Sequence, residues 1–518
     1  MNLTVLDVII FSLYCVIILF IGLWVSRWKG KQSRTASDYF LASRALPWWV
    51  IGASVIASNI SAEQFIGMSG SGFVAGIAIA TYEWIAAAML IIVAKYFIPI
   101  YLKLNIYTMP EFLERRYDIR VKTIMAFFWL LLYVFVNLTS VLYLGGLTLK
   151  TILGIPLLWA IVLLAGFSLA YSVWGGLKAV AWTDVVQVIF LVLGGLFTTA
   201  MALNEISNGG GVFRGFVDLM HQVPDKFNLI LSKDNPSYHQ LPGIRTIIGG
   251  LWVLGFSYWG CSQYITQRAL AAKDIHHARK GLLFAGYLKI LLPLIVVLPG
   301  IAAFALNADI QKPDEAYPWL LMTFVPAGFR GAAIAALFAA IVSSLSSMTN
   351  SAATIFTMDI VGQYRKQSLT SGQTVLVGRG SAVLFILIAV IIAPFLSSLQ
   401  QVFQFIQEFT GFVSPAIFAL FFFGLFWKRA TSDAVFYASL LSIPLGFGLK
   451  YLAPGLPFLD RIALVFIVIC VVAILLSLRT KAAGEESVKT ELFKTSTGFA
   501  IGSLGIMALL TALYVMFW

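Results

Sequence analysis

Ala57-Ser58-Asn59-Ile60-Ser61-Ala62-Glu63-Gln64 falls in and just beyond the middle of an otherwise apolar run over about 46–66. Hydrocarbon tolerates non-helical backbone only where it is buried in protein or lines a water-filled cavity. The stretch therefore reads as an interrupted membrane helix beside a cavity. The rest of the chain agrees with a membrane setting. Of 518 residues 60% are hydrophobic and 11% charged, against roughly 25% charged in soluble proteins. Mean hydropathy is +0.91. A soluble multidomain enzyme, a nucleic-acid binder and a disulfide scaffold are excluded on these grounds.

Working outward from the break, apolar runs between polar or Pro/Gly stretches predict fourteen helical spans. They lie near 3–26, 46–66, 73–101, 122–149, 155–174, 180–203, 243–265, 281–306, 330–362, 376–398, 401–427, 433–451, 460–478 and 498–518. Each approaches the ~20 residues that cross a bilayer. Alternate connections are rich in Lys and Arg: 24 fall on one side, including Lys29, Arg115, Arg116, Arg268 and Arg279, and 9 on the other. The richer side is then cytoplasmic, and both termini lie outside, as an even number of spans requires. The N-terminus lacks a basic region and a cleavage pattern, so the first run is expected to be retained. Cys15, Cys261 and Cys470 sit in apolar runs, and all four histidines sit in connections. A disulfide framework and intramembrane haem ligation are unsupported. There is no Walker-type phosphate loop. Gly67, Gly70, Gly72 and Gly76 read as close helix packing.

A weaker break, Gly255-Phe256-Ser257-Tyr258-Trp259-Gly260, interrupts the seventh span, which runs opposite to the second. Paired breaks point to a transporter site, with spans 2–6 and 7–11 as inverted five-helix repeats. Charges at depth follow. Lys289 is ~12 Å and Glu83 ~15 Å inside their spans by helical rise; Gln407-Glu408 lie in the eleventh. Two readings of Glu83 and Lys289 stand: a buried ion pair, or polar groups lining a solute cavity. Lys95 reads as a snorkelling lysine. In the ninth span Ser343/Ser346 and Ser344/Ser347 stack at i, i+3. They either bond back to their own helix or, with unwound carbonyls near Ala57 and Ile60, hold a hard cation. Asp184 is ~6 Å inside the sixth span, with an interfacial carboxylate as the alternative.

The same stretches carry a family resemblance. Ser61-Ala62-Glu63-Gln64-Phe65, Tyr82-Glu83-Trp84, Phe135-Val136-Asn137-Leu138-Thr139-Ser140 and Ala181-Trp182-Thr183-Asp184 are among its motifs. So are Ala340 to Ser344, Phe405-Ile406-Gln407-Glu408 and Gly424-Leu425-Phe426-Trp427-Lys428. The chain resembles the sodium/solute symporter family along its length, most closely the bacterial sodium/galactose branch. The resemblance implies an all-α membrane fold of fourteen helices around a five-plus-five inverted repeat. It implies sugar hydrogen bonds from Gln64, Glu83, Lys289 and Gln407. Tyr258 would close the site from inside, and Met68 and Phe403 from outside. It maps a sodium ion onto the carbonyls of Ala57, Ile60 and Ala340 and the hydroxyls of Ser343 and Ser344. Two-sodium members carry a hydroxyl at the position of Ser346, so Asp184, Ser346 and Ser347 form a candidate second sodium site. Gly255 and Ala86 depart from the galactose pattern, where polar side chains stand, and that bears on the identity of the sugar.

The resulting expectation is one transporter domain over 1–518: an accessory helix and cytoplasmic loop (1–45), two repeats (46–203, 243–427) and accessory helices (433–518). It would reside in the plasma membrane and couple sodium entry to uptake of a neutral sugar by alternating access. The alternative solutes are a polyol, a sialic acid or an amino acid; a carboxylate would favour a pocket arginine, and none is read at depth. No enzyme activity, nucleic acid or obligate protein partner is expected, and lipid is the surrounding partner.

Overall fold

Uninterrupted apolar sequence of this length has one way to satisfy its backbone in lipid, the α-helix. The computed structural model describes residues 3–27, 44–364, 370–479 and 490–518. Lys29, Lys31, Arg34, Arg365, Lys366, Lys481 and Lys489, counted above toward the cytoplasmic side, lie outside them. Among the described residues every regular element is helical, and the sole ladder contact is a bridge joining Leu46 to Ala272. Nine helices there are long and apolar enough to cross a bilayer. A tenth arises if Val402–Gly411 and Ser414–Phe426, bent by 48°, make one span.

The second span is broken where expected. Trp48–Asn59 is α-helical, Ile60 is extended (φ −76°, ψ 105°), and a π-turn over Glu63–Met68 leads into the half-helix Ser69–Ala75. The seventh span differs from expectation. Gly250–Trp259 is an intact helix, and the interruption falls just after it, at residues 260–262, before Gln263–Leu270. Polar side chains alone do not unwind a helix; the backbone leaves it where Gly260 and Cys261 lie between the two segments. The eleventh span carries a bend that the apolar pattern did not announce, in front of Ser414-Pro415. Proline sterics disfavour helical geometry in the residue before it.

Residues 155–174 and 180–203, expected as separate spans, fall in one helical stretch, Leu157–Ile206, of 50 residues. A straight helix of that length would measure ~75 Å, more than twice a hydrocarbon core. It does not run straight. Ser168 bonds to Ser346 at 3.4 Å and Asp184 to Ser343 at 2.5 Å. Those two serines are one turn apart on one helix, whereas Ser168 and Asp184 would be ~24 Å apart on a straight one. The chain therefore doubles back between them, and two spans remain the right description.

The core is held by the long helices around the first break. Ile275–Val296 packs on Trp48–Asn59 and Thr81–Ile92, while Leu157–Ile206 packs on Phe329–Ile355 and on Val5–Arg27. The glycine-rich turn packs as expected: Gly67 meets Phe403, Gly70 meets Asp314 and Gly72 meets Val297. Closer than these is Gly300, where a Cβ would overlap the Ser69 carbonyl and stand 2.8 Å from the Phe73 amide. Gly300→Ala should therefore destabilise by about 1–3 kcal/mol. Gly448→Ala, whose Cβ would meet nothing within 4 Å, should be neutral or slightly stabilising. Thermal unfolding of the two variants in detergent compares them, and equal midpoints would contradict this packing.

Candidate functional site

An unwound segment in a membrane must find new partners for its amides. Here its own side chains supply them. The Ser61 N–H, which in a continuous helix would bond to the Ala57 carbonyl, donates to Gln64 Oε1 at 3.0 Å. The Ser61 hydroxyl donates to the same oxygen at 3.2 Å and accepts the Glu63 N–H at 3.0 Å. The Gln64 and Phe65 amides both donate to the Ser61 carbonyl, so the Ile60 carbonyl is passed over. The carbonyls of Ala57, Ser58, Asn59 and Ile60 thereby leave the helical ladder, and that of Ser58 accepts the Ser344 hydroxyl instead.

Beside the break lies a cavity with about 880 Å³ of space between atoms, open solvent at its mouth included. Its polar lining includes Asn59, Glu63, Gln64, Glu83, Asn137 and Gln407. Its apolar lining includes Met89, Trp129, Leu132, Leu251 and Leu254. Met68, Tyr82 and Phe403 form one boundary, and Phe403 meets Tyr82 edge to face with ring centroids 5.4 Å apart. Tyr258 forms another and accepts a hydrogen bond from Asn59 Nδ2 at 2.9 Å.

Lys289 and Glu83 resolve the choice left open by the sequence by being both things. They form a buried ion pair, Lys289 also donates to Asn59 Oδ1, and the ammonium lies 4.7 Å from the Trp259 ring centre. Lys289 is itself fully buried. It reaches the cavity through Glu83 and Asn59, which line it. Asn59 thus links Tyr258 to the Glu83–Lys289 pair. Glu63 adds a carboxylate that bonds to Asn137 and whose Oε1 has no protein partner.

A second buried polar cluster lies on the other side of the break. Asp184 is fully buried, not interfacial, and accepts hydrogen bonds from Ser54 and Ser343 at 2.5 Å each. Arg268 donates to Ser54 Oγ at 3.2 Å, to Ser347 Oγ at 2.7 Å and to the Tyr264 carbonyl, and stands 3.9 Å from Asp184. Ser344 donates to the Ser58 carbonyl at 3.4 Å, which ties the serine helix to the break. Ser346 faces Ser168, not its own helix.

Gln64, Glu83, Gln407, Met68, Tyr258 and Phe403 thus line one cavity, with Lys289 directly behind it. Ser343, Ser344 and Asp184 meet at the helix that ends in the break. Glu408 goes elsewhere: it pairs with Arg461 at 2.7 Å and Lys450 at 3.2 Å. Lys95 places its ammonium over Tyr96. Sequence reasoning gave no role to Asn59 and Glu63, although both stand in the quoted break. It counted Arg268 among loop cations, where only the hydroxyl and carboxylate pattern around it would have marked it as buried.

Broken helices, a polar cavity and an ionic cluster at its edge define a membrane transporter. The family model for the sodium:solute symporter family matches residues 39–442, and the chain belongs to that family. It is 50% identical over 538 aligned positions to a sodium/glucose cotransporter of Vibrio parahaemolyticus, covering 100% of this chain and 99% of that protein. A human sodium/myo-inositol cotransporter is 34% identical over 484 positions, 85% of this chain and 66% of its own length. Among solved structures, a substrate-bound, outward-open Na+-coupled sialic acid symporter superposes with a TM-score of 0.82 at 23% identity, covering 93% of this chain and all of that one. That likeness shows the fold. The chain is a sodium-coupled symporter and not an enzyme.

Two expected outcomes follow from this geometry. Removing one partner of a buried ion pair costs about 3–5 kcal/mol because the other is stranded. Lys289→Met should lose far more thermal stability than Lys289→Met combined with Glu83→Gln; no recovery in the double variant would refute the pairing. In the connection between Leu298–Ala305 and Phe329–Ile355, Asp314 accepts the Val402 N–H at 3.2 Å, one residue before Phe403. Burial pushes its carboxyl up to about 7, with Lys312 opposing and Glu315 reinforcing the rise. A raised acid favours the packed arrangement when neutral, so that contribution is full below the exposed value near 4 and lost as pH rises through 7. Hydrogen exchange around 400–404 should accelerate beyond its intrinsic pH trend between pH 5.5 and 8. Asp314→Asn should flatten that excess, and an unchanged excess would discount the carboxyl.

Proposed function

We propose that the chain takes up a neutral sugar together with sodium, using the cavity beside the broken second span as the solute site. Gln64, Glu83 and Gln407 would bond the hydroxyls, with Lys289 acting through Glu83 and Asn59. The observation that carries this reading is a cavity lining that combines amides and carboxylates with apolar and aromatic side chains. Such a surface suits a ring with hydroxyls at its edge and C–H groups on its faces. The names of the glucose and myo-inositol cotransporters to which the chain is similar support a polyhydroxylated solute. Tyr258 would close the inner side, and Met68 and Phe403 the outer side.

Sodium is assigned to the released carbonyls of Ala57 and Ile60, the Ala340 carbonyl and the hydroxyls of Ser343 and Ser344. These are neutral oxygens of the kind a hard cation takes, and none carries a titrating proton. We assign one sodium per cycle. At Asp184, Ser346 and Ser347, the candidate second site, the Arg268 guanidinium already brings a positive charge to the carboxylate and bonds Ser347. One ion driven by 100 mV and a tenfold gradient supports roughly 500-fold accumulation.

For the architecture we infer fourteen spans. The nine long helices and the bent pair are joined by the shorter apolar helices Val5–Ile18 and Leu157–Ala170 and by the two broken spans. Spans 2–6 and 7–11 would be the inverted repeats, with both termini outside the plasma membrane.

Uptake of sugars into proteoliposomes tests the reading. It should collapse when choline replaces sodium at constant pH and survive a proton ionophore under a sodium gradient; the reverse pattern would overturn sodium coupling. Gln407→Ala should abolish uptake in correctly folded protein, and a reversal potential corresponding to two sodium ions per sugar would displace the single-ion assignment.

A further inference from the structure

The apolar lining of the cavity has one unusual member. Met89 is buried on the Thr81–Ile92 helix, the helix that carries Glu83, and it faces Gly255 on Gly250–Trp259. A Cβ built on Gly255 would overlap both the sulfur and the terminal methyl of Met89. The thioether therefore occupies the room in which any side chain at 255 would begin. Both residues line the cavity, and Leu251 and Leu254 flank them. Gly255 has an ordinary negative φ, so backbone conformation does not require glycine there. The difference is one of space: the flexible end of Met89, from the neighbouring helix, fills the position a Cβ would take.

The chemistry of that filling differs from the rest of the cavity. A thioether sulfur is a weak acceptor and no donor, and its methyl group is apolar. A solute hydroxyl aimed at it would give up water and gain almost nothing, whereas a C–H or methyl group would pack well. We infer that Met89 is a specificity-determining residue, its thioether seated over Gly255 to select a neutral sugar or polyol that presents a C–H or methyl edge there, a deoxy sugar above its fully hydroxylated parent. The inference rests on the sugar reading of the same cavity and names a substrate class within it. An apolar contact of one methyl or methylene group discriminates by about 10–200-fold, which sets the effect to look for.

The test uses purified full-length protein in proteoliposomes under a sodium gradient. The probes are D-galactose and D-glucose and the set of their 2-, 3-, 4- and 6-deoxy congeners. In the unmodified protein at least one deoxy congener should exceed its parent in kcat/KM by about tenfold or more. Met89→Leu, which keeps the lining apolar, should retain that ratio. Met89→Ala combined with Gly255→Asn, which makes room for a polar side chain and supplies one, should lower the ratio at least tenfold by improving the parent sugar. Parents preferred over every congener in the unmodified protein, or a ratio unmoved in the double variant, would overturn the inference and leave the sugar reading intact. Sodium-dependent uptake of none of the sugars would overturn both.

Discussion

Backbone amides cannot be left bare in hydrocarbon, and each unsatisfied one costs several kcal/mol. The Gln64 side chain meets that constraint at the centre of this molecule. By accepting the Ser61 amide and hydroxyl, it allows the second span to leave helical geometry at Ile60 and re-enter it as a π-turn. The turned segment then packs its glycines against Phe403, Asp314 and Val297. Had the break been satisfied by water alone, these close approaches would be unavailable, because water would need the space that Phe403 and Asp314 fill. The side-chain solution keeps the break dry on its packed face and leaves the cavity face open to a solute.

Two ionic clusters are built onto the ends of that break, and neither is an isolated charge. Asn59, the last helical residue before the break, touches both Tyr258 and Lys289. Ser58, one residue earlier, and Ser54, just over one turn earlier, reach Ser344 and Asp184. Breaking a buried pair strands a charge, while keeping it intact contributes little net stability. Clusters of this sort therefore specify arrangement more than they add to stability. Here they hold four separate spans in register with the six residues from Ser54 to Asn59 of one helix.

Much of this was readable in advance because burial in lipid penalises polarity severely, so each polar group within an apolar run stands out. Gln64, Glu83, Lys289 and Gln407 were legible for that reason, as was the break itself. What escaped reading depends on three-dimensional direction. Glu408 and Gln407 are adjacent, yet helical geometry turns one toward Arg461 and the other toward the cavity. Arg268 lies near an end of its apolar run, where a cation looks solvated, and only the inward course of Gln263–Leu270 buries it. The reversal within Leu157–Ile206, by contrast, was legible, because the apolar runs 155–174 and 180–203 together are too long for one crossing. The bend before Ser414-Pro415 had a local signal in proline and was overlooked because the flanking residues are uniformly apolar.

The proposed coupling follows from the economy of the break. Its released carbonyls include those of residues 57 and 60, and its side chains Asn59, Glu63 and Gln64 face the solute cavity, so ion and solute would bind opposite faces of one eight-residue segment. A ligand shifts a conformational equilibrium only by its differential affinity for the two states. A segment ordered by sodium on one face presents its other face already arranged, and the solute then loses less freedom on binding. Reciprocity requires the solute to raise sodium affinity by the same factor. Arg268 fits this scheme as a fixed charge: tethered to Ser54 and Ser347, it balances Asp184 whether or not an ion is present. The carboxylate then need not draw in a second cation for the serine helix to stay docked on the break.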